Sequence, residues 1–185
     1  MYERGLTLKT AATSLPVGVD EFKTRSRIDA TDEDAHLMQL LRAATDEVQT
    51  YLGRALITQT WTFTLDAFPA EIQVPLPPLS SVTSIKYYDG ANAQQTLSSS
   101  LYDIVNATPM NPATIRPTYG KSWPTTYGRD GVVEVEFIAG YGAEADVPWS
   151  IKQRIYVRAA QHYEHRETET KEMLTLASAY KVARF

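Results

Sequence analysis

The spacing of apolar positions changes twice along the chain, and those two changes divide it. From about Glu33 to Leu52 the residues Leu37, Leu41, Ala44, Val48 and Leu52 recur at intervals of three and four, which puts them on one stripe of a helix. The ends of this helix are marked as well. Thr31 and Asp34 form a capping-box pattern, Asp32, Glu33 and Asp34 suit the positive end of the helix dipole, and Gly53 stands where a left-handed cap belongs. From Ile57 to Ala139 the texture becomes short runs of Thr, Val, Ile, Tyr and Trp separated by Pro, Gly, Asn and Asp. Such runs predict strands near 57–65, 71–76, 82–88, 94–97, 102–106, 113–116 and 132–138. In the last of them Val133, Val135 and Phe137 alternate with Glu134 and Glu136, so one face is buried and the other meets water or a partner. Pro75, Pro77 and Pro78 exclude a central strand where they lie.

Helical spacing returns at Pro148, an apt first-turn residue, and runs to about Arg166 with Ile151, Ile155, Ala159 and Tyr163 on its stripe. A short helix is predicted over 20–27. Residues 1–18 carry Thr10, Thr13, Ser14, Pro16 and Gly18 and read as an N-terminal arm. The expected fold is therefore α+β: a helical body of two long helices plus a short N-terminal helix, an inserted antiparallel β region and a C-terminal tail. By residues, the arm is 1–18, the helical body 19–56 with 147–166, the inserted β region 57–146 and the tail 167–185.

Composition narrows the function. The chain has 185 residues, 43% hydrophobic and 22% charged, enough for a self-sufficient core and ordinary for a globular protein. A formal net charge of -4 argues against a protein that grips nucleic acid through its phosphates, because that affinity comes from clustered Lys and Arg. With no cysteine, disulfides, thiolate nucleophiles and cysteine-based zinc sites are all excluded. The opening MYERGLTLKT does not read as a secretory signal, and no run approaches the ~20 apolar residues of a membrane helix.

Candidate chemistry fails on context. Gly140 to Ala145 follows a strand and precedes a helix, as a dinucleotide loop would, but no second strand completes a βαβ unit. His162 and His165 can share a helix face with Glu164 near them, yet their spacing matches no zinc-protease motif and His36 is the only other histidine. There is no Gly-x-Ser-x-Gly motif. The expectation is no enzyme, no metal and no cofactor. Arg154, Arg158 and His165 fall on roughly one face of the last long helix and are candidates for channel-facing or subunit-facing charges.

The order of several segments carries a resemblance. The chain resembles the tailed-phage head-tail connector (adaptor) family through YLGRALITQTW (Tyr51 to Trp61), PLPPLSSVTSIKYYDG (Pro75 to Gly90), YGKSWPTT (Tyr119 to Thr126), VEVEFIAGYG (Val133 to Gly142), VPWSIKQ (Val147 to Gln153) and the closing YEHRE and AYKVARF. The likeness spans residues 17–185. It implies a structural subunit that forms a ring, about twelve around, under the portal protein and continues the DNA channel toward the tail. The implied partners are the portal, further junction or tail proteins, other copies of the chain, and DNA that passes without sequence-specific binding; no membrane is involved. The implied location is the virion head-tail junction, assembled in host cytoplasm, whether of an infectious phage, a prophage or a phage-derived DNA carrier.

A net acidic subunit suits such a conduit, since it repels phosphates. In the tail, Met173, Leu174, Leu176, Tyr180, Val182 and Phe185 are many apolar groups behind the charged stretch Glu167 to Lys171. Leu174, Leu176, Tyr180, Val182 and Phe185 are the expected docking residues for the portal or a neighbouring subunit. The sequence is also compatible with two other readings: a tail-completion or stopper protein, and a carbohydrate-binding accessory module using Trp61, Trp123 and Trp149.

Overall fold

The computed structural model describes residues 3–29 and 31–164. In chain order its elements are β1 (Glu3–Thr10), α1 (Val19–Ser26), α2 (Asp34–Leu52), β2 (Gln59–Leu65), β3 (Ile72–Gln73), β4 (Leu79–Tyr88), β5 (Gln94–Thr96), β6 (Tyr102–Val105), β7 (Thr114–Pro117), β8 (Val133–Ala139) and α3 (Trp149–Glu164). They divide into two compact units. A β unit joins residues 3–14 with Gly53–Asp146, and a helical unit joins Leu15–Leu52 with residues 147–164.

The β unit contains two antiparallel sheets, one ordered β1-β2-β8-β4-β5 and one ordered β3-β7-β6. Alternation fixes which face of each strand is buried. In β8 Val133, Val135, Phe137 and Ala139 are buried while Glu134, Glu136 and Ile138 between them are partly exposed, the period of two that a half-buried strand requires. Phe63 and Leu65 of β2 and Ile85 of β4 lie opposite β8 in register, and Ile72, Val74, Ala113 and Ile115 from the smaller sheet complete one apolar core. Phe68 and Trp123 stack at its margin with ring centroids 4.8 Å apart. Behind β8, Gly140 sits at φ +125 with its backbone so close to Ile57 that an added Cβ would lie 2.4 Å from the Ile57 carbonyl oxygen, a fit open to glycine alone.

In the helical unit Leu37, Leu41, Ala44 and Val48 are buried along α2, which packs against α3 and its buried Ile155, Tyr156, Ala159 and His162. Phe22 of α1 is buried in the same unit and stacks with Tyr156 at 6.3 Å. Arg27 ends α1 in the left-handed conformation, and Gly53 at φ +60 follows the last turn of α2. Asp34 begins α2, but its carboxylate accepts from Lys23 at 2.7 Å, an ion pair to α1 that a capping box does not foresee.

The protein is not a helical body of two long helices carrying an inserted β region. Eight strands in two antiparallel sheets share the described residues with three helices, at 28% strand against 31% helix. The β unit is no insertion either, because its sheet begins with β1, before any helix. The physical reason lies in Leu6 and Leu8: they alternate with Thr7 and Lys9, the period of a strand, inside a stretch whose Thr, Ser, Pro and Gly content suggested an arm. Pairing with β2 along its length, from Glu3 opposite Leu65 to Thr10 opposite Thr60, then fixes the strand. The tail 167–185 lies outside the described residues.

Candidate interaction surfaces

The motifs that invited a catalytic reading are occupied by structure. Around Gly140 the backbone amides are spent on the protein: Gly140 donates to the Pro78 carbonyl at 2.9 Å and Tyr141 to the Leu56 carbonyl at 2.9 Å, while the Gly142 carbonyl accepts from Thr58 at 3.1 Å. Those amides form no cradle for a phosphate. His162 is buried and its Nε2 lies 2.9 Å from Glu47 Oε1 of α2. His165 lies outside the described residues. Among the described residues no three His, Asp or Glu side chains group as a metal site, and no helix is long and apolar enough to cross a membrane.

The cations of α3 have defined places. Arg158 Nε donates to Glu47 Oε2, so one carboxylate receives both Arg158 and His162. This ties α3 to α2 and leaves Arg158 engaged inside the unit. Arg154 is exposed and stands over the Tyr51 ring at 5.3 Å. Arg25 of α1 lies 5.3 Å from the Trp149 ring and 4.9 Å from the Tyr156 ring, and it also hydrogen-bonds Gln153. The expected row of Arg154, Arg158 and His165 is thus resolved into one exposed cation on an aromatic ring and one internal ion pair, with the third member outside the described residues. Leu174, Leu176, Tyr180, Val182 and Phe185 likewise lie outside them.

The tryptophans of the β unit are partly buried in packing. Trp61 and Trp123 pack against the β core, and Trp149 belongs to the helical unit beside Arg25. Exposed apolar groups instead occur where sequence reasoning did not place them: Leu6 and Leu8 on β1, Ile104 on β6, Met110 in the following loop, and Tyr119, which is 100% exposed. Arg54 holds the Met110 loop by donating to the Pro109 and Met110 carbonyls. Beyond it, Trp123 is pinned by its stack on Phe68 and Arg129 lies over the Tyr88 ring at 3.7 Å, so the ends of the loop carrying Tyr119 are fixed to the β core. An alternating Leu-Thr-Leu-Lys was the available signal for β1; nothing in the sequence distinguished an exposed Ile104 from a buried one.

This fold has known counterparts. Residues 17–111 match the model of the phage gp6-like head-tail connector protein family, just over half of the chain. The chain belongs to that family. It is a structural head-tail connector subunit, and the family's members are virion components. Three solved structures resemble it over 98% of its length and 97% of theirs: the neck of an empty gene transfer agent (GTA) particle computed with C6 symmetry, at 25% identity and TM-score 0.76; the virion of the native GTA particle, at 26% and 0.74; and the neck of the native GTA particle computed with C12 symmetry, at 26% and 0.71. No curated protein matches the chain.

Proposed function

We propose that this connector subunit sits in the neck of a virion-like particle, where copies of it form a closed ring that contacts the portal on one side and tail or further junction proteins on the other. The observation that carries this reading is the match, end to end, with neck components of particles treated with sixfold and twelvefold symmetry. A connector must hold neighbours on its sides and different proteins above and below, and the exposed Leu6, Leu8, Tyr51, Ile104, Met110, Tyr119 and Trp149 offer apolar contact area beyond what the core uses. DNA passes through the ring without being gripped, in keeping with a net charge of -4. The protein works by assembly, with no catalytic step of its own.

Within that reading the segment 173–185 docks on the portal or on the next subunit, with Leu174, Leu176, Tyr180, Val182 and Phe185 as its apolar anchors. Arg154 supplies a charge at a subunit or channel surface. Adding the purified protein to portal-bearing heads and imaging the junction tests the proposal. A ring directly beneath the portal is the expected result. Binding only after another ring has bound would make the protein a stopper instead, and heads that stay bare would overturn the reading. Deleting residues 173–185 should abolish attachment while the melting temperature of the remaining chain stays nearly constant.

A further inference from the structure

Register in both sheets shows an apolar row that runs off the edge of its core. In the larger sheet Leu6 opposes Phe63, Phe63 opposes Val135 and Val135 opposes Ile85; beside this row, Leu8, Trp61, Phe137 and Val82 oppose one another in turn. Opposed residues share a face of the sheet, so both rows continue the core face. Phe63, Val135, Phe137 and Ile85 are buried, yet at the outer end Leu6 is 37% and Leu8 44% exposed. The smaller sheet repeats the pattern: Ile72 opposes Ile115 and Ile115 opposes Ile104, the first two fully buried and Ile104 40% exposed on edge strand β6. Each sheet therefore overhangs the shared core by one edge strand.

The two overhangs are edge strands of different sheets. β1 is one end of the order β1-β2-β8-β4-β5, and β6 is joined to β5, the other end, by residues 97–101 alone. A cyclic ring joins two different patches of the same subunit head to tail, which is the requirement these two edges meet. We infer that the β1 overhang of one copy packs on the β6 overhang of the next, so that Leu6 and Leu8 meet Ile104 and each subunit completes the apolar rows of its neighbour. This rests on the ring reading and adds the residues that close the ring.

The chain has no cysteine, so introduced pairs can be read without background. Leu8→Cys with Ile104→Cys, and Leu6→Cys with Ile104→Cys, are made in the full chain, assembled on portal-bearing heads and treated with a short bismaleimide. The expected result is a ladder of covalent multimers from a double variant, no ladder from any single variant, and dimers alone from a mixture of the Leu8→Cys and Ile104→Cys chains. Rings visible by imaging with both double variants still monomeric on a denaturing gel would overturn the inference and leave the ring reading standing. Dimers of the Leu8→Cys chain with itself would show a twofold contact and overturn it too. Absence of any ring from the unaltered chain would remove both. As a second arm, Leu6→Asp with Leu8→Asp should prevent ring assembly, whereas Thr7→Asp on the opposite face of β1 should not. Normal rings from the double Asp variant contradict the inference; if that variant fails to fold, the cross-linking result decides alone.

Discussion

The β unit and the helical unit bury their interiors by different means. The β unit has one apolar cluster, from Phe63 and Phe137 through Ile85 to Ile72 and Ile115, drawn from two sheets that each offer a whole face. The helical unit has only stripes to offer, on helices of 8, 19 and 16 residues. Side-chain ties frame its smaller core: Glu47 with Arg158 and His162, Glu33 with Tyr163 at 2.8 Å, Glu21 with Tyr156 at 2.8 Å, and Lys23 with Asp34. The lesson is that area of contact decides how far a unit can rely on apolar burial alone. A sheet face gives a wide interior that needs no charge, while a helix stripe leaves polar flanks close enough to pair.

The largest expected effect follows from the wide interior. Phe137 is fully buried at the middle of β8, between β2 and β4, and Phe137→Ala should destabilise the β unit by about 3–5 kcal/mol. Leu41 occupies the same place in the helical unit, fully buried on α2, and Leu41→Ala should cost about 2–5 kcal/mol. Residue-resolved hydrogen exchange reads the two units separately, which a single melting curve does not. If Leu41→Ala costs clearly more than Phe137→Ala, the ranking of the two interiors is reversed.

How far the sequence disclosed this comparison depends on the element. The stripes Leu37, Leu41, Val48 and Ile155, Ala159 were legible because period 3.6 survives intact in helices that bury one side. The alternation Val133-Glu134-Val135-Glu136-Phe137 was legible for the same reason at period two. What stayed hidden was membership: β1 is distant in sequence from its partner β2 and carries only two apolar residues, so local pattern could not tell a strand from an arm. The partner of Glu47 was equally out of reach, since Arg158 and His162 lie more than a hundred positions away. Family resemblance supplied the connector role that spacing and composition alone could not, and the sheet register then supplied the edges that neither had indicated.

A middle-sized effect sharpens the electrostatic side. Glu47→Ala leaves the buried His162 and the half-buried Arg158 without their carboxylate, and loss of a hydrogen-bonded partner at such a site costs about 1–3 kcal/mol. Glu47→Gln, which retains acceptor and shape, should lose less. Urea midpoints measured at low and high salt check the cause, since screening weakens a partly exposed pair. The unaltered helical unit should show salt dependence that Glu47→Ala reduces, the Lys23–Asp34 pair keeping the remainder; equal dependence in both would assign the tie to packing instead of charge.

The smallest expected effects are two carboxyls whose titrations run in opposite directions. Asp89, at the β4–β5 turn, accepts from the Gln95 side chain and from the Ala93 and Ala91 amides, and those donors hold its carboxyl below the ordinary carboxylate range. Because the folded form then binds its proton less readily than the unfolded chain, Asp89 contributes stability above the ordinary carboxylate pKa, and that contribution is lost as pH falls through the lower folded value. Asp46 on α2 is partly shielded from water, and this desolvation raises its carboxyl above the ordinary range. Its sign is reversed: the folded form holds its proton more readily, so its contribution is present below the ordinary value and is lost as pH rises through the higher folded one. Carboxyl chemical shifts followed by NMR from neutral pH into acid should therefore show Asp46 protonating first and Asp89 last. Asp89→Asn, which removes the charged acceptor, should loosen the turn amides of Ala91 and Ala93 at neutral pH, read as faster exchange. Asp46→Asn should instead leave α2 unchanged or slightly firmer at that pH. Protonation in the reverse order would show that donors at the turn and desolvation on the helix do not set these two groups.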